Sequence, residues 1–323
     1  MDPSVQRDVD VVVIGGGAAG LQAALVLARS RRSVVVVDAG APRNAGASAV
    51  HNLAGHEGID PHELLGRARS DARGYGAEIV TASVTAAHRA DGRWLVRTET
   101  GTADPLRARA LVFATGVVEE LPEVPGLADL WGGDVVSCPY CHGWEVRDQP
   151  VAVVGSGPRA WQQLLLLRRF TEDLALVGNG PTGLERGQLD HLRRTGVAVH
   201  EEPVDRVVSK GGRLYGIAFA NGAVLQRAAV FAATTRRQAT ELPATLGCEV
   251  SSAAIVADDE GRTGVSGVWA AGSCARPSLT VAGSVGHATT TAIAVNNALI
   301  MEELELAPEL EPQSQSQSQS QLR

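Results

Sequence analysis

The sequence has no excess of positive charge: 29 lysines and arginines stand against 36 acidic residues, a net charge of −7. With a pI near 5.6, this balance argues against a nucleic-acid binder, which carries a basic face. Long apolar runs are missing too. The first apolar stretch, Val9 to Ile14, is strand-length and is cut off by glycines, and no uncharged run approaches the ~18 residues of a membrane span. The opening residues, Met1 to Asp8, lack the basic and apolar regions of a signal peptide. Cysteine is scarce: four in 323 residues, two of them in one motif, make no disulfide framework and fit a reducing compartment. These absences predict a soluble cytoplasmic chain that engages neither nucleic acid nor membrane. What is present, 44% apolar residues over about two domains' length, suffices for sizeable buried cores.

The N-terminal stretch is a complete dinucleotide fingerprint. Val11 to Ile14 reads as a buried parallel strand, and Gly15, Gly17 and Gly20 occupy the G-x-G-x-x-G positions. Leu21 to Arg31 has helical composition, and a second buried strand, Val34 to Val37, ends at Asp38. The first glycine permits the tight turn, and the second lets the backbone approach a pyrophosphate. The third allows the helix to pack on the strand, and the acid binds a ribose hydroxyl. Further on, Pro61 to about Tyr75 reads as a helix. Glu78 to Ala87 and Trp94 to Glu99 read as strands about an Asp91-Gly92 hairpin turn, and Leu111 to Ala114 is a short buried strand closed by Thr115-Gly116. Prolines and a glycine over residues 117 to 126 mark a boundary.

The pattern then repeats. Val151 to Val154 is the strand, Gly155-Ser156-Gly157-Pro158-Arg159-Ala160 the turn, Trp161 to Phe170 the helix and Leu174 to Val177 the next strand. This copy lacks what a nicotinamide nucleotide needs. Its second strand runs into Gly178-Asn179-Gly180, with neither an acid for NADH nor an arginine pair for the NADPH phosphate, and Pro158 and Arg159 crowd the turn. Between the two copies lies Ser137-Cys138-Pro139-Tyr140-Cys141-His142-Gly143-Trp144-Glu145. A C-x-x-C in this setting reads as a redox dithiol, with His142 placed to take or return a proton. A structural disulfide or half of a zinc site is the alternative, and Cys248 and Cys274 supply no second zinc knuckle.

Val230 to Ala233 reads as another buried strand. Ser284 to Glu302 reads as a helix with Gly283 and Ser284 at its N-terminal end, and the Gln-Ser repeats of Pro308 to Arg323 as a disordered tail. Cys274 reads as a buried, inert thiol, and His287 as a packing or capping histidine with a base over a cofactor as the alternative. Trp144 walls the redox site or simply packs. His51, His56 and His62 read as a solvated loop, since no thiol or carboxylate set accompanies them, and no metal site is expected.

Together the first glycine turn, Ala114-Thr115-Gly116, the C-x-x-C, the second glycine turn and Trp269-Ala270-Ala271-Gly272 resemble the low-molecular-weight thioredoxin reductase family of flavoproteins, up to about residue 305. The resemblance implies an α/β fold of two Rossmann-like, three-layer ββα nucleotide-binding domains, the second inserted in the first. Residues 1–116 and 245–306 would form the FAD domain, 117–244 the dithiol-carrying domain, and 307–323 the tail. It implies FAD held at Gly15, Gly17, Ala18, Ala19, Gly20, Asp38, Asn52, Ala114, Thr115, Gly116, Gly272 and Ser273. Cys141 would face the flavin, Cys138 would exchange with substrate, and a homodimer is expected.

Where thioredoxin reductases carry an aspartate after the second cysteine, this chain has His142. Cys-Pro-Tyr-Cys-His-Gly-Trp-Glu is similar to the dithiol oxidases of the gliotoxin and holomycin type, which pass electrons from a small-molecule dithiol to O2 without NADPH. Two departures stand out: Ser273 replaces the usual acid after Ala-Ala-Gly, and Pro277 to Thr280 replaces the basic-glutamine pair before the last helix. The alternatives are an NADPH-dependent thioredoxin reductase acting on a thioredoxin-like protein, and a flavin redox sensor without turnover.

Overall fold

The computed structural model describes residues 7–99 and 105–304; the expected C-terminal tail lies outside the described residues. The first unit opens with β1 (Arg7–Ile14), α1 (Ala18–Arg29), β2 (Val34–Asp38), α2 (Pro61–Gly74) and β3 (Glu78–Thr81). The meander β4 (Val84–Ala90), β5 (Arg93–Thr98) and β6 (Leu106–Phe113) comes next. The sheet runs β3-β2-β1-β6-β5-β4, parallel through β6 and antiparallel beyond it. Alternate residues of β1 enter opposite cores. Val11 and Val13 pack on the α1 side, Val12 and Ile14 on the side of Trp94 and Val96. This two-sided burial is why the strand reads as an unbroken apolar run. Each valine so buried contributes about 1.5–3 kcal/mol.

The expected strand over residues 78–87 is two strands. β3 completes the parallel sheet beside β2, the chain breaks at Ala82 and Ser83, and β4 starts the hairpin. Asp91 and Gly92 carry φ of 48° and 73°, both left-handed, as a two-residue hairpin turn with this twist requires.

The chain then crosses out through β7 (Val117–Glu120) into β8 (Val135–Val136) and the single turn α3 (Pro139–His142). The second unit continues with β9 (Val151–Val154), α4 (Gly157–Leu167), β10 (Leu174–Val177), α5 (Arg186–Arg194) and β11 (Ala198–His200). The meander β12 (Val204–Lys210), β13 (Arg213–Phe219) and β14 (Val224–Gln226) precedes β15 (Ala229–Ala232). Its parallel sheet, β11-β10-β9-β15-β8, is sandwiched as the first is: helices with Leu164 and Leu167 on one face, the meander with Ile217 and Phe219 on the other. α4 begins four residues before the expected Trp161, because Pro158 is tolerated in a first helical turn.

The return crossing is β16 (Thr235–Gln238), which pairs antiparallel with β7. After α6 (Leu242–Thr245), β17 (Val250–Ser251) and β18 (Ala254–Ile255), the strand β19 (Val268–Ala270) adds to β6. The helix α7 (Val281–Glu303) then packs on α1. It starts earlier than expected because Thr280 caps it, accepting from the Gly283 amide. Among the described residues no helix is long and apolar enough to cross a membrane.

Candidate active site

The first glycine turn is built to admit a phosphate. A Cβ on Gly15 (φ 107°) would strike the Ala114 carbonyl, and one on Gly20 would strike the Gly15 carbonyl. These two glycines hold strand and helix together. A Cβ on Gly17 would meet nothing within 4 Å. That residue is the N-cap of α1 and makes no side-chain cap bond, so the amide end of the helix, with Ala18 and Ala19 in its first turn, stays available to an anion. Asp38, at the end of β2, lies against Gly16; it accepts from the Gly40 amide at 3.1 Å and pairs with Arg69 at 2.9 Å.

Three more segments converge on this turn. A Cβ on Gly272 would strike Ala19, and one on Gly116 would lie 3.5 Å from the Ser273 hydroxyl. The Gly272 amide donates to His287 Nδ1 at 3.0 Å, so His287 caps a loop, and burial first, then Arg276, lowers its pKa. His287 Nε2 is buried without a partner. An orphaned polar atom beside an open glycine turn fits a large polar cofactor, and FAD is the one the fold implies. Cys274 is fully buried, bonds the Phe113 and Ala271 carbonyls at 3.1 and 3.2 Å, and has its pKa pushed up to about 11 by that burial. It is an inert thiol.

The second glycine turn is closed by its own chain. The Gly157 amide donates to the Thr182 carbonyl at 2.8 Å. Residues 178–183 can fold back over the turn because Asn179, Gly180 and Gly183 all take left-handed φ. Thr182, only 2% exposed, also bonds Glu201, which sets a carboxylate beside the loop. Arg159, in the first turn of α4, has its pKa lowered mainly by burial, with the charges of Arg236 and Arg43 adding to the effect and Glu119 opposing it.

Cys138 and Cys141 are joined as a disulfide across α3, their Cα atoms 5.2 Å apart. Cys138 is the N-cap, and the Cys141 and His142 amides both donate to its carbonyl at 3.1 Å. Gln163 of α4 fixes the approach by donating to the Ser137 carbonyl at 2.7 Å and the Ala232 carbonyl at 2.9 Å. A Cβ on Gly143 would strike Phe170, so only glycine lets α3 settle on this unit. Asn52 comes from the first unit. With φ of 60°, it donates its amide to the Tyr140 carbonyl at 2.7 Å. The loop bearing Asn52 and the dithiol turn are thereby brought together. Burial is the main cause that lowers the pKa of His142, with Glu145 opposing and His51 adding to the effect. A neutral imidazole there is a base.

Two features were not legible in the sequence. His51, expected to be a solvated loop residue, has Nδ1 2.6 Å from Glu57 and Nε2 3.4 Å from Glu145. It is correctly read only with the partners in place, since Glu145 is distant in sequence. The other is Glu119 on β7, its side chain 5% exposed and bonded by Arg43, Arg236 and Thr234 where the two units meet. Trp144 is not packed in a core: it is 64% exposed, with Arg147 stacked 4.2 Å from its ring. Among the described residues no three His, Cys, Asp or Glu side chains are placed to hold a metal ion.

Comparison with known proteins matches residues 9–295 to the family model for pyridine nucleotide-disulphide oxidoreductases. The crystal structure of HlmI is similar with a TM-score of 0.88 and 40% identity, covering 92% of this chain and 94% of that one. An oxidoreductase from Agrobacterium tumefaciens gives 0.85 and 32%, covering 91% and 99%. Among curated proteins, the thioredoxin reductase tcpT of Claviceps purpurea is 36% identical over 163 residues, 48% of this chain and 49% of that protein. The chain spans about half the length of the first such relatives it matches. The family implies a bound flavin and an oxidoreductase activity. With both glycine turns, the inserted parallel sheet and the disulfide in their places, the chain belongs to the pyridine nucleotide-disulphide oxidoreductase family and is thioredoxin reductase-like within it.

Proposed function

We propose that the protein is an FAD-dependent dithiol oxidase, closing an intramolecular disulfide in a small-molecule dithiol with O2 as the final electron acceptor. The observation that carries this reading is that the chain itself occupies the second glycine turn, where the Gly157 amide donates to the Thr182 carbonyl at 2.8 Å. Electrons then enter from the dithiol, not from NADPH. The motif that places His142 after Cys141 supports the same direction.

In this reading Gly15, Gly17, Ala18, Ala19, Gly20, Asp38, Asn52, Ala114, Thr115, Gly116, Gly272 and Ser273 would hold FAD. When bound, it supplies the acceptor for the two electrons held by the reduced cysteine pair and their route to O2. The chain's own residues do the sulfur chemistry. A substrate thiolate attacks Cys138 Sγ, breaking the Cys138–Cys141 bond and leaving Cys141 as a thiolate. His142 takes the proton of the second substrate thiol, whose sulfur attacks its partner in the mixed disulfide. The substrate leaves as a disulfide, two electrons poorer, and Cys138 is released. Burial keeps His142 neutral and ready for this step.

The reductase reading, with NADPH reducing a thioredoxin-like protein, draws on the names of the curated relatives and on the second parallel sheet. Turnover with dithiothreitol in air separates the two. One O2 consumed and one peroxide formed per dithiol, without nicotinamide, is expected. NADPH oxidation coupled to thioredoxin reduction, with no dithiol-driven peroxide, would replace the oxidase reading.

A further inference from the structure

Each dithiol oxidised by this route leaves a proton on a buried imidazole, which must lose it before the next turnover. Three residues along the chain, Glu145 acts electrostatically on His142, and His51 does so from the first unit. His51, His142 and Glu145 line one cavity of about 490 Å³. The His51 ring stands between two carboxylates, Glu57 at 2.6 Å from Nδ1 and Glu145 at 3.4 Å from Nε2. It is held there because Glu57 also accepts from the Asn52 amide at 2.8 Å. An imidazole flanked in this way takes a proton on one nitrogen and gives one from the other. Glu57 is on the solvent side, its side chain 63% exposed, and hydrogen bonding from His51 leads the effects that keep it ionised.

We propose that His51 is a positioning residue for the dithiol chemistry, relaying the proton collected by His142 from Glu145 to Glu57 and on to solvent. One N–H of His142 is broken and one O–H of Glu145 made. Glu145 then protonates His51 Nε2 as Nδ1 releases its proton to Glu57, so one proton crosses and no electron moves. The other charged groups on the cavity wall are Asp129, Asp134 and Arg213, and Arg213 is already paired with Asp134 at 2.8 Å. The inference rests on the reading of His142 as the base.

The test follows repeated turnover of dithiothreitol by the flavin-loaded protein in air, from pH 6 to 9, read as O2 consumed, with the first disulfide opening followed separately by rapid quenching and alkylation of Cys138 without oxygen. Steady turnover in His51→Gln is expected to be about tenfold slower than in wild type at pH 6.5, while its first opening keeps the wild-type rate. The ratio should approach one at pH 9, where hydroxide replaces the relay, and imidazole buffer should speed the variant but not wild type. Glu57→Gln keeps His51 and should show the same pH-dependent deficit at about threefold, which preserves the test if His51→Gln does not fold. A variant-to-wild-type ratio that stays flat with pH and ignores imidazole makes His51 merely structural and overturns the relay, as does the absence of any deficit. Wild-type protein that dithiothreitol does not open overturns the oxidase reading itself, and the relay with it.

Discussion

Gly17 and Gly157 hold the same place in two copies of one motif, each second glycine of its turn and each at the start of a helix. A Cβ would meet nothing within 4 Å at either glycine; what separates them is that the amide of Gly157 is bonded to Thr182, whereas the first turn lies beside the unpartnered His287 Nε2. The two sheets around them are layered alike, so the fold does not make the difference. The segment leaving the second strand of each copy does. β2 ends in Asp38, while β10 runs into a glycine-rich loop that turns back onto its own helix. The first amides of a helix need a partner, and a chain can supply one as readily as a ligand can. A glycine fingerprint therefore reports a backbone shape, and its surroundings decide what fills it.

The largest effects expected from breaking this contrast are at the chemical groups. His142→Ala should slow dithiol-driven reduction by about 10²–10⁴-fold with the flavin retained, measured by stopped flow. In wild type, burial holds the His142 pKa below its ordinary 6.5, so the base form persists into mildly acidic solution. After correction for substrate thiolate, the rate should hold steady above pH 6.5 and fall only below it. Gly17→Val should fill the open turn and weaken flavin binding by about 100-fold or more, measured by flavin titration of the apoprotein. The matching change Gly157→Ala should leave flavin content intact. It costs about 1 kcal/mol of stability, seen as a lower melting temperature, because φ there is 72°.

Between these lies the junction of the two units. Burial opposes the charge on Glu119, yet Arg43, Thr234 and Arg236 outweigh it and keep its pKa below the ordinary value. Glu119→Gln leaves two arginines unpaired and should cost about 2–4 kcal/mol at neutral pH by denaturant unfolding. The lowered pKa fixes the sign of the pH effect: the carboxylate's contribution is complete above about pH 4.5 and is lost as pH falls through its folded value. The gap between wild type and variant should close in acid.

Much of the architecture was legible because it rests on local patterns. Buried parallel strands such as Val34–Val37 are continuous β-branched runs, and each glycine turn sits between a strand and a helix. The spacing of the C-x-x-C announces a cysteine pair able to close a small ring, and the structure joins it as a disulfide. What stayed hidden depends on partners far apart in the chain. Nothing near Gly157 shows that Thr182 will cap it, and nothing near His51 shows Glu145 on its other side. Glu119 looks like any charged residue of a short strand until Arg43 and Arg236 arrive from two other segments. Even the missing acid after β10 indicated only that a nicotinamide nucleotide lacks a contact. The closed loop shows what stands there instead.

The most direct test of this contrast is anaerobic reduction of the purified flavin-loaded protein, monitored at the flavin absorbance band. Separate samples receive NADPH, NADH and dithiothreitol. Bleaching by the dithiol alone, reversed by air with formation of peroxide, is the predicted result. Rapid bleaching by NADPH would mean that the loop over Gly157 opens to admit a nucleotide, and would contradict the account.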